Sequence, residues 1–94
     1  MNENYSYPLL DGLNDNEVIK LVTFFQQVEA AYERPNGVNR QAFINAYRTF
    51  TTMIPSKMEQ KQLAAQFEER SGYSVYRVVK QSKQPGKNLK VNEA

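Results

Sequence analysis

The residues best suited to chemistry lie near the carboxyl end of the chain, where aromatic and basic side chains alternate. Five of them form a candidate interaction surface: Tyr73, Tyr76, Arg77, Lys80 and Lys83. Tyrosine and arginine are favoured anchors at protein interfaces, so the pattern predicts a surface that binds another protein. Tyrosine rings also stack on unpaired bases while cations contact phosphates. Nucleic acid is therefore the second, less favoured partner.

Catalysis is disfavoured by the residue types that the chain lacks. It contains neither cysteine nor histidine, which removes the commonest nucleophile, the commonest general base near neutral pH and the usual ligands of transition metals. The oxygen-rich segment 11–17 does not follow the ligand order of a calcium-binding EF-hand loop. We expect no catalytic residue, no cofactor and no metal site, and the chain is predicted not to be an enzyme.

Length and charge narrow the class of protein. The 94 residues supply apolar surface for one modest core, and no apolar run reaches the roughly 18–20 residues that span a bilayer. The amino terminus does not resemble a signal peptide, so we expect a cytoplasmic protein without a membrane partner. The net charge is +2, yet residues 1–34 carry six acids against two bases and residues 72–94 carry five bases against Glu93. This asymmetry bears on partners and leaves the oligomeric state open.

Three amphipathic helices are predicted before the candidate surface, over residues 15–33, 40–53 and 57–70. In the first, apolar residues recur at i, i+3, i+4 and i+7, while Ile19 falls outside this stripe. The first two helices should form the central hairpin. Pro55 ends the second helix, and Ser56 with Glu59 has the pattern of a reciprocal capping box that starts the third.

The segment 73–82 admits two interpretations. Val75, Val78 and Val79 share a helical face and Ser74 is suited to cap it, but the segment is also rich in strand formers. Helix is favoured, because no other stretch reads as a partner strand and an unpaired strand is not stable. Gln84-Pro85-Gly86 then breaks the helix, and residues 84–94 are predicted to form a disordered, mobile basic tail.

The first residues of the chain are too apolar for a free end. Tyr5, Tyr7 and two leucines precede a turn at Asp11-Gly12, so we expect an extended arm that lies across the helices. Tyr32 and Tyr47 are likewise assigned to packing. The predicted fold is therefore all-α: a small irregular bundle of about four helices, forming a single domain over residues 1–83 with the arm across it.

Several short stretches carry a family resemblance, in order and at matching spacing. They are residues 5–9, Ala46-Tyr47-Arg48, Pro55-Ser56-Lys57, Phe67-Glu68-Glu69 and residues 71–80. In these the chain resembles the YktA-like family of small uncharacterised proteins of Gram-positive bacteria, over about residues 4–80. The resemblance implies a compact domain of about four helices and no activity. The predicted function stays a non-catalytic protein–protein interaction module with an unknown partner; the alternative is RNA or DNA association through residues 73–83.

Overall fold

The computed structural model describes residues 5–92 as four helices and two very short strands. In chain order the elements are α1 (Asp15–Glu33), β1 (Val38–Asn39), α2 (Arg40–Met53), α3 (Lys57–Ser71), α4 (Val75–Gln81) and β2 (Asn88–Leu89). The predicted all-α class with about four helices is confirmed. No helix among the described residues combines the length and the apolar character that crossing a membrane requires.

Each helix begins at a polar side chain that accepts a hydrogen bond from the backbone. The four caps are Asn14, Asn39, Ser56 and Ser74. At α1 the capping box is complete, since the Glu17 amide donates to Asn14 Oδ1 at 2.9 Å and the Asn14 amide donates to Glu17 Oε1 at 3.0 Å. At α3 the predicted box is only half formed. The Glu59 amide donates to Ser56 Oγ at 3.2 Å, but the Glu59 side chain stays in solvent.

The core is built around α1. Five of its residues at helical spacing are completely buried: Leu21, Phe24, Phe25, Val28 and Ala31. Phe24 stacks on Phe50 of α2 with ring centroids 4.5 Å apart, and Phe25 stacks on Phe67 of α3 at 4.6 Å. Aromatic pairs of this kind add stability beyond the area they bury. Two adjacent rings of α1 therefore fix the positions of α2 and α3.

The amino-terminal arm lies across α1 and α3, as predicted. The Tyr7 ring stacks on Phe25 at 6.1 Å and on Phe67 at 6.3 Å between centroids. The Arg70 guanidinium donates to the Ser6 carbonyl at 3.0 Å. These contacts make the arm part of the core rather than a free end.

The segment after α4 packs on the helices up to Asn92 and so differs from the predicted mobile tail. The last two residues of that predicted tail, 93–94, lie outside the described residues. Asn88–Leu89 pairs antiparallel with Val38–Asn39, and Leu89 is completely buried. Val91 is buried too. Leu89 and Val91 alternate with Lys90 and are buried against α1 and α2. Their burial offsets the conformational entropy that the segment loses when it is ordered.

Arg40 fastens this carboxyl-terminal segment to the start of α2. Its guanidinium donates to the carbonyls of Gln81, Gly86 and Asn88 at 2.6, 2.7 and 2.8 Å. Three main-chain oxygens, at the end of α4, in the following loop and at the start of β2, thereby gain a charged donor, which is a stronger partner than a neutral one. The loop between α4 and β2 is held in one arrangement as a result.

The turn before β1 brings two backbones into direct contact. Gly37 has a φ of +66°, in the left-handed region, and a Cβ at this position would collide with the Leu89 carbonyl. Only glycine meets both conditions without strain. The strand pair therefore depends on Gly37.

The segment that admitted two interpretations is a helix. The Ser74 side chain accepts a hydrogen bond from the Arg77 amide at 3.1 Å, and Val75 and Val78 point into the core. Tyr76 lies on the opposite, exposed side. This places the basic and aromatic residues of α4 at the surface.

Candidate interaction surface

Four of the five predicted surface residues are exposed and one is not. Tyr76, Arg77, Lys80 and Lys83 are exposed and follow the outer side of α4 into the next loop; these four residues are called the α4 surface below. Tyr73 is only 3% exposed. The structure therefore places Tyr73 in the core, apart from the other four residues.

Tyr73 belongs to the core because its ring and hydroxyl both have partners on α1. The ring stacks on Tyr32 with centroids 4.6 Å apart, and the hydroxyl donates to Glu33 Oε2 at 2.7 Å. The Tyr32 hydroxyl in turn accepts from the Ser74 amide at 3.1 Å. The pair of tyrosines positions the start of α4.

Tyr76 stands between two grooves. It is 71% exposed, the highest value among the large hydrophobic side chains at the surface within residues 5–92; the others in this range are Leu9, Ile19 and Met58. An apolar groove lies on one side of its ring and a basic groove on the other. The side chain therefore forms a wall that both grooves share.

The apolar groove lies between α2, α3 and α4 and has a volume of about 270 Å³. Its apolar lining comes from all three helices: Tyr47, Phe50, Ala64, Val75 and Val79. Lys57 and Lys61 of α3 also line it, and they lie one helical turn apart. The groove thus has an apolar floor and a positively charged side.

The basic groove lies between α4 and the carboxyl-terminal segment and has a volume of about 540 Å³. Arg77, Lys80 and Lys90 line it together with Tyr76. Lys90 is committed to the fold, because its Nζ donates to the carbonyls of Tyr32 at 2.6 Å and Arg34 at 2.8 Å, at the end of α1. Of the three cations, Arg77 and Lys80 are left to meet a ligand.

A third groove, between α1 and α2, has a volume of about 590 Å³ and mixed charge. Lys20 and Arg48 line it, but so does Glu17. It contains neither an apolar floor nor a single sign of charge. Its lining gives no preference for one class of ligand.

The other place where ionisable groups meet is under the amino-terminal arm. Glu29 of α1 accepts hydrogen bonds from both Tyr5 and Tyr7, the latter at 2.7 Å. Burial, followed by the hydrogen bond to Glu29, raises the pKa of Tyr7 from 10.0 to about 12, and the same causes raise the pKa of Tyr5. A tyrosine acts as a base or nucleophile only when its phenol loses the proton readily. These phenols hold their protons more tightly than usual, as expected of groups that fasten the arm.

The residues that sequence reasoning missed are those of α3. Lys57, Lys61 and Ala64 form one wall of the apolar groove, and their i, i+4, i+7 spacing shows that they share a face. Nothing in the spacing indicates which helices this face meets.

Within residues 5–92 there is no cluster of three or more Asp, Glu, His or Cys side chains able to hold a metal ion.

Fold and surface together define a small helical protein whose amino-terminal arm and carboxyl-terminal segment are fastened to a central helix, and whose last helix presents tyrosine and basic side chains to solvent. Residues 4–90 match the model of UPF0223, an uncharacterised protein family. The chain belongs to this family, and the resemblance seen in its sequence motifs is confirmed.

Individual relatives match over nearly their whole length. The chain is 44% identical to the UPF0223 protein YktA of Bacillus subtilis over 80 residues, which cover 85% of this chain and 89% of that protein. It is 46% identical to a UPF0223 protein of Bacillus velezensis with the same coverage. It is also 44% identical to the UPF0223 protein YfdD of Lactococcus lactis over 89 residues, which cover 95% of this chain and 94% of that protein.

Proposed function

We propose that this protein is a non-catalytic module that binds another protein through its α4 surface. The observation that carries the proposal is Tyr76, a large aromatic side chain that is 71% exposed and forms the wall between two grooves. An exposed tyrosine buries a large area on binding while losing few rotameric states. Arg77 lies beside it, and tyrosine and arginine are enriched among the residues that dominate binding energy.

A scattered apolar residue on a surface needs no functional explanation, so the surroundings of Tyr76 matter. Met58 and Ile19 are nearly as exposed, but neither lines the apolar or the basic groove. Tyr76 combines exposure with concave surface on both sides. That combination is typical of an anchor residue at the centre of an interface.

The second candidate function is association with RNA or DNA, and the basic groove is the observation in its favour. Tyr76 would stack on a base while Arg77 and Lys80 contact phosphates. It is the weaker candidate because Lys90 already binds the carbonyls at the end of α1. Two available cations in the groove are few for a mode of binding that depends on neutralising several phosphates.

The proposal is tested by capture of partners with matched double variants. The full chain, a Tyr76→Ala/Arg77→Ala variant and an Ile19→Ala/Lys20→Ala variant are each cross-linked to partners in a lysate of cells that encode the protein. Both variants remove an exposed apolar residue and the cation that follows it. We expect a protein that the full chain and the α1 variant capture and that the α4 variant loses.

Two results would contradict the proposal. One is identical recovery by all three baits, with no partner protein and no self-association. The other is capture that nuclease treatment abolishes, together with binding of a single-stranded oligonucleotide that weakens steeply between about 50 and 200 mM salt. The second result would establish the nucleic-acid alternative.

A further inference from the structure

We infer that the apolar groove between α2, α3 and α4 accepts an acidic amphipathic helix from a partner protein. The inference rests on the proposed function and names the chemistry of its partner. It follows from the size, the walls and the charge of the groove.

The size of the groove favours side chains as its occupants. Its volume is about 270 Å³, which is below the range of roughly 300–1,000 Å³ that is usual for small-molecule pockets. The floor contains the buried residues Phe50 and Val75, and they come from two different helices. A depression of this kind holds one or two apolar side chains of a larger partner.

The walls favour a helix over an extended peptide. An extended peptide gains affinity by adding a strand to an open sheet edge, but the walls of this groove are three helices. The backbone groups in the middle of these helices are already hydrogen-bonded within each helix. Recognition must therefore use side chains, as when an amphipathic helix places residues i, i+3 or i+4 and i+7 into an apolar groove.

The charge of the groove favours an acidic partner. Lys57 and Lys61 line it and no aspartate or glutamate does. Arg77 and Lys80 lie beyond Tyr76, in the adjoining groove. A helix that places apolar residues on the floor would bring its flanking residues close to these cations, so carboxylates there are attracted and basic residues are repelled.

The inference is tested by peptide selection on the intact protein. Random peptides of about 16 residues, long enough for four helical turns, are displayed and selected on the full chain, and every enriched peptide is then measured on an Ala64→Phe variant. Phenylalanine at position 64 fills the groove without taking away any existing contact residue. We expect the selected peptides to carry net negative charge and apolar residues at helical spacing.

Matched variants then locate the binding site of a selected peptide by fluorescence anisotropy. Ala64→Phe should weaken binding by about tenfold or more, whereas Ala65→Phe, at the exposed neighbouring position, should change it less than about twofold. Lys61→Glu should weaken binding by about threefold or more, whereas Lys20→Glu on α1 should change it less than about twofold. Thermal melts check that each variant is folded. If Ala64→Phe does not fold, the surface variant Lys61→Glu tests the groove in its place.

Selection of basic or neutral peptides would overturn the inference, as would peptides whose affinity survives both Ala64→Phe and Lys61→Glu, or no enrichment at all. None of these results removes the proposed function, since that function is judged by capture of a protein through Tyr76 and Arg77. Displacement of a selected peptide by a single-stranded oligonucleotide would also overturn it and assign the groove to nucleic acid.

Discussion

The amino-terminal arm and the α4 surface use the same kind of side chain in opposite ways. In the arm, the hydroxyls of Tyr5 and Tyr7 donate to Glu29, and both rings lie against Phe67. On α4, Tyr76 turns its ring to solvent. Tyrosine content alone therefore indicates neither a core nor an interface.

The difference between the two regions lies in their partners on α1. Glu29 and Glu33, one turn apart, accept hydrogen bonds from the arm tyrosines and from Tyr73 respectively. A tyrosine that reaches one of these carboxylates contributes to stability, because its hydroxyl is satisfied and its ring is packed. Tyr76 faces away from them, so its removal should affect binding and leave the fold nearly unchanged.

The largest effect on stability is expected for Tyr7→Ala. The change removes a ring stacked on two core phenylalanines and a donor to Glu29, and should lower the free energy of unfolding by about 2–4 kcal/mol. Tyr76→Ala, the matched change on α4, should lower it by less than about 0.5 kcal/mol. Urea denaturation followed by circular dichroism measures both. Equal losses for the two variants would erase the contrast between the regions.

A smaller loss is expected for Glu29→Gln. The amide keeps one oxygen that accepts a hydrogen bond but replaces the other by a donor, so one of the two arm tyrosine hydroxyls loses the acceptor for its proton. The free energy of unfolding should fall by about 1–3 kcal/mol. Glu69→Gln, on the exposed side of α3, is the control and should leave the urea midpoint unchanged. A similar midpoint for all three proteins would show that the arm does not depend on the carboxylate.

Tyr73→Phe and Tyr76→Phe compare a buried and an exposed tyrosine within the segment that was predicted to bind a partner protein. Loss of the hydroxyl that donates to Glu33 should lower the free energy of unfolding by about 0.5–1.5 kcal/mol, while capture of a partner remains as in the unmodified chain. Tyr76→Phe should leave stability unchanged. If Tyr73→Phe abolished capture in a fully folded protein, the assignment of Tyr73 to the core alone would be incorrect.

The smallest effect is expected from alkaline pH. The pKa of Tyr7 is raised from 10.0 to about 12, so the folded protein holds this proton more tightly than the unfolded chain does. The resulting stabilisation is fully present below pH 10 and is lost as the pH rises from about 10 to 12. Thermal melts across this range, compared with those of Glu29→Gln, should show a steeper loss for the unmodified protein. Parallel curves would mean that Glu29 does not act on the phenols.

Most of the fold follows from local signals in the sequence. Asn14, Asn39, Ser56 and Ser74 mark the helix starts because a side-chain acceptor at a helix N-terminus is a local requirement. Pro55 separates α2 from α3 for an equally local reason. The caps at Ser56 and Ser74 and the break at Pro55 were predicted and are confirmed.

The carboxyl-terminal segment was not predicted, because its stability is not local. Leu89 and Val91 stand among polar residues after Pro85-Gly86, which reads as a tail. Their alternation with Lys90 is typical of a short half-buried strand, but the strand's partner lies about fifty residues earlier in the chain, and its docking depends on Arg40. Two alternating apolar residues are too weak a signal to predict such a pairing.

The candidate site was predictable only in part, for a similar reason. Helical spacing separates Val75 and Val78 from Tyr76 and Arg77, so the exposed side of α4 follows from the sequence. Tyr73 lies before the helix begins, and spacing within the helix does not place it. The apolar groove depends on how α3 packs beside α4, which no local pattern specifies.

Gly37 links the turn after α1 to the carboxyl-terminal segment that pairs with it. Any side chain at this turn pushes against the backbone at position 89, so the damage from a substitution there appears at the opposite end of the sequence. In such a variant, proteases would cut the carboxyl-terminal segment, while the helices on either side of the turn stay intact. A survey of substitutions across the gene would then score a small surface turn as being as intolerant of change as the aromatic core.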